Sequence, residues 1–216
     1  MQNIDTATIV IIAANIIFSL KGFSDFSFFE KYKFNIAGIR KGEQIRMFSS
    51  GFLHVDYTHL IFNMLTLYFF ANIVINSVGV TRFIIIYIAS LIVGNILSFY
   101  FHKDEYHYSA VGASGAVMGV LYSAILFHPG MDLYLFFIPI PIDAWIIGIL
   151  YLLYSVYGMR FRHGNIGHDA HFGGAIAGYL LTIAFVPSLL ETSLWIVALL
   201  AVPIVLLLIL HKLGKI

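Results

Sequence analysis

Gly112-Ala113-Ser114-Gly115-Ala116-Val117-Met118-Gly119-Val120-Leu121-Tyr122-Ser123-Ala124-Ile125-Leu126-Phe127-His128 is an apolar run that is too short for what surrounds it. From Ser114 to His128 it counts 15 residues. As helix that is about 22 Å, against a bilayer hydrocarbon core of about 30 Å. One end must therefore stop inside the membrane. The preceding segment, His107-Tyr108-Ser109-Ala110-Val111-Gly112-Ala113, is polar and contains glycine. Non-helical backbone at membrane depth is tolerated only when buried in protein or lining a water-filled cavity. Ser114 is thus expected at a recessed helix start beside an aqueous pocket.

Composition establishes the membrane setting. Of 216 residues, 60% are hydrophobic and 11% charged, and the mean hydropathy is +0.91. A soluble domain carries about 25% charged residues. The formal charge of +1 indicates no class of partner, and no basic cluster argues for nucleic acid. Cysteine is absent, which excludes disulfides, thiolate nucleophiles and cysteine-ligated metals. Length and apolar content fit one all-α polytopic bundle, a single transmembrane domain over 1–216.

Working outward, apolar runs long enough to be spans fall at 6–22, 58–78, 82–101, 113–128, 144–159, 169–189 and 192–211. The fifth is the least clean. Apolar Leu133 to Ile142 precedes it, and Pro139 and Pro141 favour a loop or interfacial turn there. Met1 to Leu20 has no Lys or Arg for a basic n-region and no clear cleavage site, so it reads as a retained first span rather than a signal peptide. The connection from Phe23 to Tyr57 is rich in Phe and Tyr, with Lys31, Lys33, Arg40, Lys41 and Arg46 interleaved. That mixture suits a structured insertion at the membrane interface.

Three motifs carry chemistry. In Gly112-Ala113-Ser114-Gly115, glycines leave room for an acyl group on a serine nucleophile. The helix N-terminus supplies unpaired N–H groups and a positive dipole end for a developing oxyanion. Taken alone, a serine between glycines more often marks close helix packing, and Gly115 and Gly119 form a GxxxG pair of that kind. In Ala170-His171-Phe172-Gly173-Gly174-Ala175-Ile176-Ala177-Gly178, His171 falls in the first turns of the sixth span. An ionisable residue inside a membrane suggests function, and an interfacial histidine near a helix end is the plainer alternative. Gly174 and Gly178 form a second smooth face. If the fourth and sixth spans pack through these faces, Ser114 and His171 come within hydrogen-bond reach. In His59-Leu60-Ile61-Phe62-Asn63, His and Asn stack one turn apart and both can donate hydrogen bonds, as a side-chain oxyanion hole requires. Interhelical polar contact is the alternative for Asn63. His54, just upstream, is expected to organise the long loop.

These motifs, in this order and on separate spans, resemble the rhomboid intramembrane proteases. His59 and Asn63 match HxxxN, Gly112 to Gly115 match GxSG, and Ala170 to Gly178 match AHxxGxxxG. Arg46 matches a position where that family tends to carry arginine. The resemblance runs from about Arg46 to Gly178. It implies a rhomboid-like six-helix core of about 6–189, with an extra C-terminal span at about 192–211 like the family's "6+1" members. It also implies a Ser114–His171 dyad without an acid partner. His59, Asn63 and the Ser114 N–H would stabilise the oxyanion, with no cofactor. Transmembrane protein substrates in a lipid bilayer would be the partners, and the cell membrane the location. Two positions depart from the pattern. Ile45 stands where many bacterial relatives carry tryptophan, and Met118 where some have a tyrosine on which the histidine stacks.

Rival chemistries fit less well. His168 and His171 lie close together, but HExxH is missing and no Glu lies within the spans. Asp143 and Asp169 sit near span ends without the context of an intramembrane aspartyl protease. A transporter would show inverted repeats or paired broken helices, and neither is present. A non-catalytic membrane chaperone on the same scaffold is the remaining alternative, and the presence of both Ser114 and His171 opposes it. The sequence names no physiological substrate and no oligomeric state.

Orientation sets two rules against each other. Seven spans put 11 Lys and Arg on one side and only Arg82 on the other, which would place the long loop in the cytoplasm. The family resemblance implies a cytoplasmic N-terminus and a site opening outward. Six of the eleven, from Lys21 to Arg46, lie in or beside the interfacial insertion. The outward-facing arrangement is the expectation adopted.

Overall fold

Backbone in hydrocarbon must satisfy its N–H and C=O groups within the segment, so each apolar block becomes a helix. The computed structural model describes residues 4–134, 140–161 and 166–216. Pro139, Arg162 and Met1 of the sequence reading lie outside them. In chain order the helices are α1 (Thr6–Ser24), α2 (Phe26–Tyr32), α3 (Ile36–Arg40), α4 (Arg46–Ser49), α5 (Tyr57–Val78), α6 (Val80–His102), α7 (Ser114–Phe127), α8 (Ala144–Phe161), α9 (His168–Phe185), α10 (Leu189–Thr192) and α11 (Leu194–Lys212). Each of the seven expected spans coincides with one of the longer helices. Five of these, α1, α5, α6, α8 and α11, are long and apolar enough to cross a membrane. The other two are α7, with 14 residues, and α9, which opens on His168, Asp169 and His171. The α9 helix ends at Phe185, short of the expected 189, because Pro187 disfavours helical geometry at Val186.

The long first connection is folded, as its composition suggested. It contains α2 to α4, a 3-10 turn (Ser50–Phe52), and a short strand β1 (Phe34–Asn35) paired antiparallel with β2 (Ser109–Ala110). Arg46 holds it together. Its Nη1 donates to the carbonyls of Glu30 (2.8 Å) and Lys33 (2.9 Å), and its Nε lies 2.5 Å from Glu43 Oε2. A second antiparallel pair, β3 (Asp132–Leu133) with β4 (Ile142–Asp143), precedes α8. Ile142 is therefore strand and Pro141 adjoins it, so the described end of the Leu133 to Ile142 run is not helical, while 135–139 lie outside the described residues.

The α7 helix is the centre of the bundle. Gly115 to Gly119-Val120 and Tyr122 to Leu126 are all buried, as expected for a helix that is apolar all round. One side of it joins α5 and α6 in a core built on Leu67, Val74, Phe83, Ile86, Tyr87 and Val120. The other joins α8, α9 and α11 around Tyr122, Ile125, Leu152, Phe172 and Leu200. Glycines set the closest approaches. A Cβ on Gly174 would collide with the Gly115 carbonyl, and one on Gly178 with the Gly119 carbonyl. A Cβ on Gly94 of α6 would come 2.6 Å from the Ala170 carbonyl. Helices α7 and α9 thus touch backbone to backbone through the two glycine faces read from the sequence, and α6 meets α9 as closely at Gly94.

Candidate active site

Ser114 begins α7, and the first-turn N–H groups there have no partner within the helix. His171 sits in the first turn of α9, 9% exposed. Close packing of the two helices brings Ser114 Oγ to 2.5 Å from His171 Nε2. The juxtaposition expected from the glycine faces is therefore present.

Gly112 shapes the space beside them. Its φ of +138° is one that residues with a Cβ rarely adopt. A Cβ there would lie 2.8 Å from His59 Cε1, 2.9 Å from His59 Nε2 and 3.5 Å from Ser114 Oγ. The His59 ring thus faces the serine across a gap that only glycine leaves open. His59 is oriented from below by the N-cap of α5, where Asp56 Oδ1 accepts its backbone N–H at 2.7 Å. Asn63 is buried one turn further along α5, and its Nδ2 donates to the His59 carbonyl at 3.0 Å. One of the two Asn63 amide hydrogens is thus engaged by its own helix.

Contacts between distant segments brace the pre-serine loop. Gly112 N–H donates to the Ser50 carbonyl at 3.0 Å, and Asn95 of α6 donates to the Met47 carbonyl (2.7 Å) and Ser50 Oγ (3.1 Å). His54 is fully buried, with Nδ1 2.8 Å from Ser19 Oγ of α1 and Nε2 accepting the Ala113 N–H at 3.5 Å. Burial pushes its pKa down to about 3, so it is a neutral strut. This is the loop-organising role expected for His54, extended to the residue before Ser114.

The structure adds a residue that sequence reasoning missed. The Tyr151 hydroxyl of α8 lies 2.5 Å from His171 Nδ1. Nothing local marks Tyr151, one of several tyrosines on α8. Met118 is buried in the α7–α9 core and Ile45 lies exposed before α4. Of the acidic residues weighed earlier, Asp143 accepts from Trp145 Nε1 at 3.1 Å, and Asp169 faces His102 at 3.6 Å.

Comparison with known proteins shows the family. The Rhomboid domain family matches residues 41–188. The chain is similar to "Rhomboid protein 1, mitochondrial" of Saccharomyces cerevisiae, 31% identical over 63% of this chain and 40% of that one. It is 34% identical to "Rhomboid protease GluP" of Bacillus subtilis over 68% of this chain and 27% of the relative. With "Putative rhomboid protease YdcA" of the same organism it shares 32% over 67% and 69%. The chain thus spans well under two thirds of the yeast protein and of GluP. Matched over the whole region that carries Ser114, His171, His59 and Asn63, this multi-pass integral membrane protein belongs to the rhomboid family.

Proposed function

We propose that this chain is an intramembrane serine endopeptidase, with Ser114 as nucleophile and His171 as base, acting as one transmembrane unit over 1–216. The observation that carries the reading is the 2.5 Å approach of His171 Nε2 to Ser114 Oγ at the start of α7. A substrate transmembrane helix unwinds locally and enters from the side. Ser114 Oγ attacks its carbonyl carbon while His171 Nε2 takes the hydroxyl proton. The oxyanion is met by the Ser114 N–H, His59 and Asn63. His171 then gives the proton to the leaving amine, the C–N bond breaks, and an acyl-enzyme remains. Water attacks the ester with His171 accepting its proton, and the proton returns to Ser114 as the new carboxyl product departs. Residues that weaken helix in the substrate favour cleavage, since a peptide bond held in helix is poorly exposed. Location in the cell membrane belongs to the same proposal.

The test is cleavage of a model transmembrane substrate by purified protein. Ser114→Ala and His171→Ala each abolish cleavage in folded, inserted protein. The double variant is no worse than either, because nucleophile and base act as a unit. A fluorophosphonate labels the wild type at Ser114 and labels His171→Ala poorly. Undiminished proteolysis by Ser114→Ala would overturn the reading. A wild type that binds membrane substrates without cutting them would move the function to the chaperone alternative.

A further inference from the structure

We propose that Tyr151 is the positioning residue for His171. Its hydroxyl oxygen accepts the Nδ1–H and holds the imidazole in the tautomer whose Nε2 lone pair faces Ser114. The inference rests on the protease reading above.

Both ring nitrogens of His171 are occupied: Nε2 by Ser114 Oγ and Nδ1 by Tyr151 Oη, each at 2.5 Å. A neutral imidazole carries one proton. If Nε2 is to receive the serine proton, that single proton must sit on Nδ1, and Tyr151 Oη must then be its acceptor. The opposite arrangement has Tyr151 donating to Nδ1, which leaves Nε2 protonated and unable to act as a base. Among the described residues, the Tyr151 hydroxyl has no other hydrogen-bond partner. No second group fixes the rotation of that hydroxyl, so one of its two lone pairs is available to Nδ1.

Helix geometry supports a built contact rather than a chance one. Tyr151 and Tyr154 lie one turn apart on α8, and His168 and His171 lie one turn apart on α9. The rings meet as two rungs: Tyr154 with His168 edge to face (5.0 Å, 78°) and Tyr151 with His171 (5.9 Å, 32°). At the next turn Gly158 clears the way, since a Cβ there would collide with the His168 ring. On the opposite side α8 is held by α11, with Trp145 against Trp195 at 6.2 Å. The Tyr122 hydroxyl of α7 also donates to the Gly148 carbonyl. The seating of α8 therefore sets the distance from Tyr151 to the histidine. As His171 becomes imidazolium in the transition state, the bond to Tyr151 becomes charge-assisted and strengthens, so its effect falls on kcat.

Tyr151→Phe keeps the ring and removes only the hydroxyl. Against the model transmembrane substrate its kcat is expected to fall about 10- to 100-fold, with KM and melting temperature little changed. Fluorophosphonate labelling at Ser114 should slow by a similar factor. In protein carrying 15N-labelled histidine, with His171 assigned by its loss in His171→Gln, the wild type should show the proton on Nδ1. Tyr151→Phe should lose that single-tautomer signal. Wild-type kcat in Tyr151→Phe, or a proton on Nε2 in the wild type, would overturn the proposal. If the wild type proves inert to substrate and probe, the protease reading fails, and the 15N comparison alone still decides what Tyr151 does to His171.

Discussion

The imidazole of His59 packs so closely on Gly112 that a Cβ there would lie 2.8 Å from Cε1 and 2.9 Å from Nε2. That Cβ would also lie 3.5 Å from Ser114 Oγ, so the gap between the Ser114 hydroxyl and the His59 ring exists because residue 112 has no side chain. The glycine of the motif thus has a steric and a conformational reason, and the two can be separated by experiment.

Gly112→Ala is expected to cut both cleavage and fluorophosphonate labelling by at least 100-fold, about the cost of losing one oxyanion donor. Gly42→Ala is the control. Gly42 also has a left-handed φ, +98°, but nothing lies within 4 Å of its would-be Cβ. It should cost stability through backbone strain alone and leave the rate per folded molecule unchanged. Equal activity losses in the two variants would show that strain, not occupation of the gap, is what matters at 112.

Asn63→Ala should impair cleavage without abolishing it, with a loss of up to 10²–10³. His59 and the Ser114 N–H would remain as the other proposed donors. The variant also removes the bond from Asn63 Nδ2 to the His59 carbonyl, so the melting temperature must be read beside the rate. A protein that fails to fold in detergent would make Asn63 chiefly a support for α5.

His54 makes stability depend on pH. Folded, its pKa is pushed from 6.5 to about 3 by burial, so the native state refuses a proton that the unfolded chain accepts. A depressed folded pKa means the contribution is fully present above pH 6.5 and is lost as pH falls towards 3. Within that window the melting temperature in detergent should fall with acid, with a slope from this group of at most about 1.4 kcal/mol per pH unit. His54→Gln should flatten the slope while lowering stability at neutral pH. An unchanged slope in that variant would assign the acid sensitivity to other groups.

Membrane orientation is open to a direct measurement, because the chain has no cysteine. Lys41→Cys puts a thiol on the exposed part of the interfacial insertion. An impermeant maleimide should label it on intact cells, as the outward-facing arrangement requires. Labelling only after lysis would put the insertion in the cytoplasm and vindicate the 11 to 1 charge count.

Sequence alone determined those features whose physics is local. Hydrocarbon forces each apolar run into helix, so all seven long helices could be placed within a few residues. The length of the run from Ser114 led to the expectation of a short helix starting there, and α7 has 14 residues. Glycine spacing marked the faces of α7 and α9, since residues four apart share a helix face and small ones admit a neighbour's backbone. The pairing of Ser114 with His171 could therefore be anticipated. Tertiary structure alone decided which distant side chains complete the site. Tyr151 reaches His171 because α8 crosses α9 in one particular register, and a shift of a single turn would bring a different tyrosine to the histidine. His54 meets Ser19 and Ala113, and Asn95 meets Ser50, only after α1, α6 and the interfacial insertion have docked. Helical periodicity shows which residues share a face; it carries no information on what the opposing face will present, because that depends on crossing angle and axial offset set by the packing of the whole bundle.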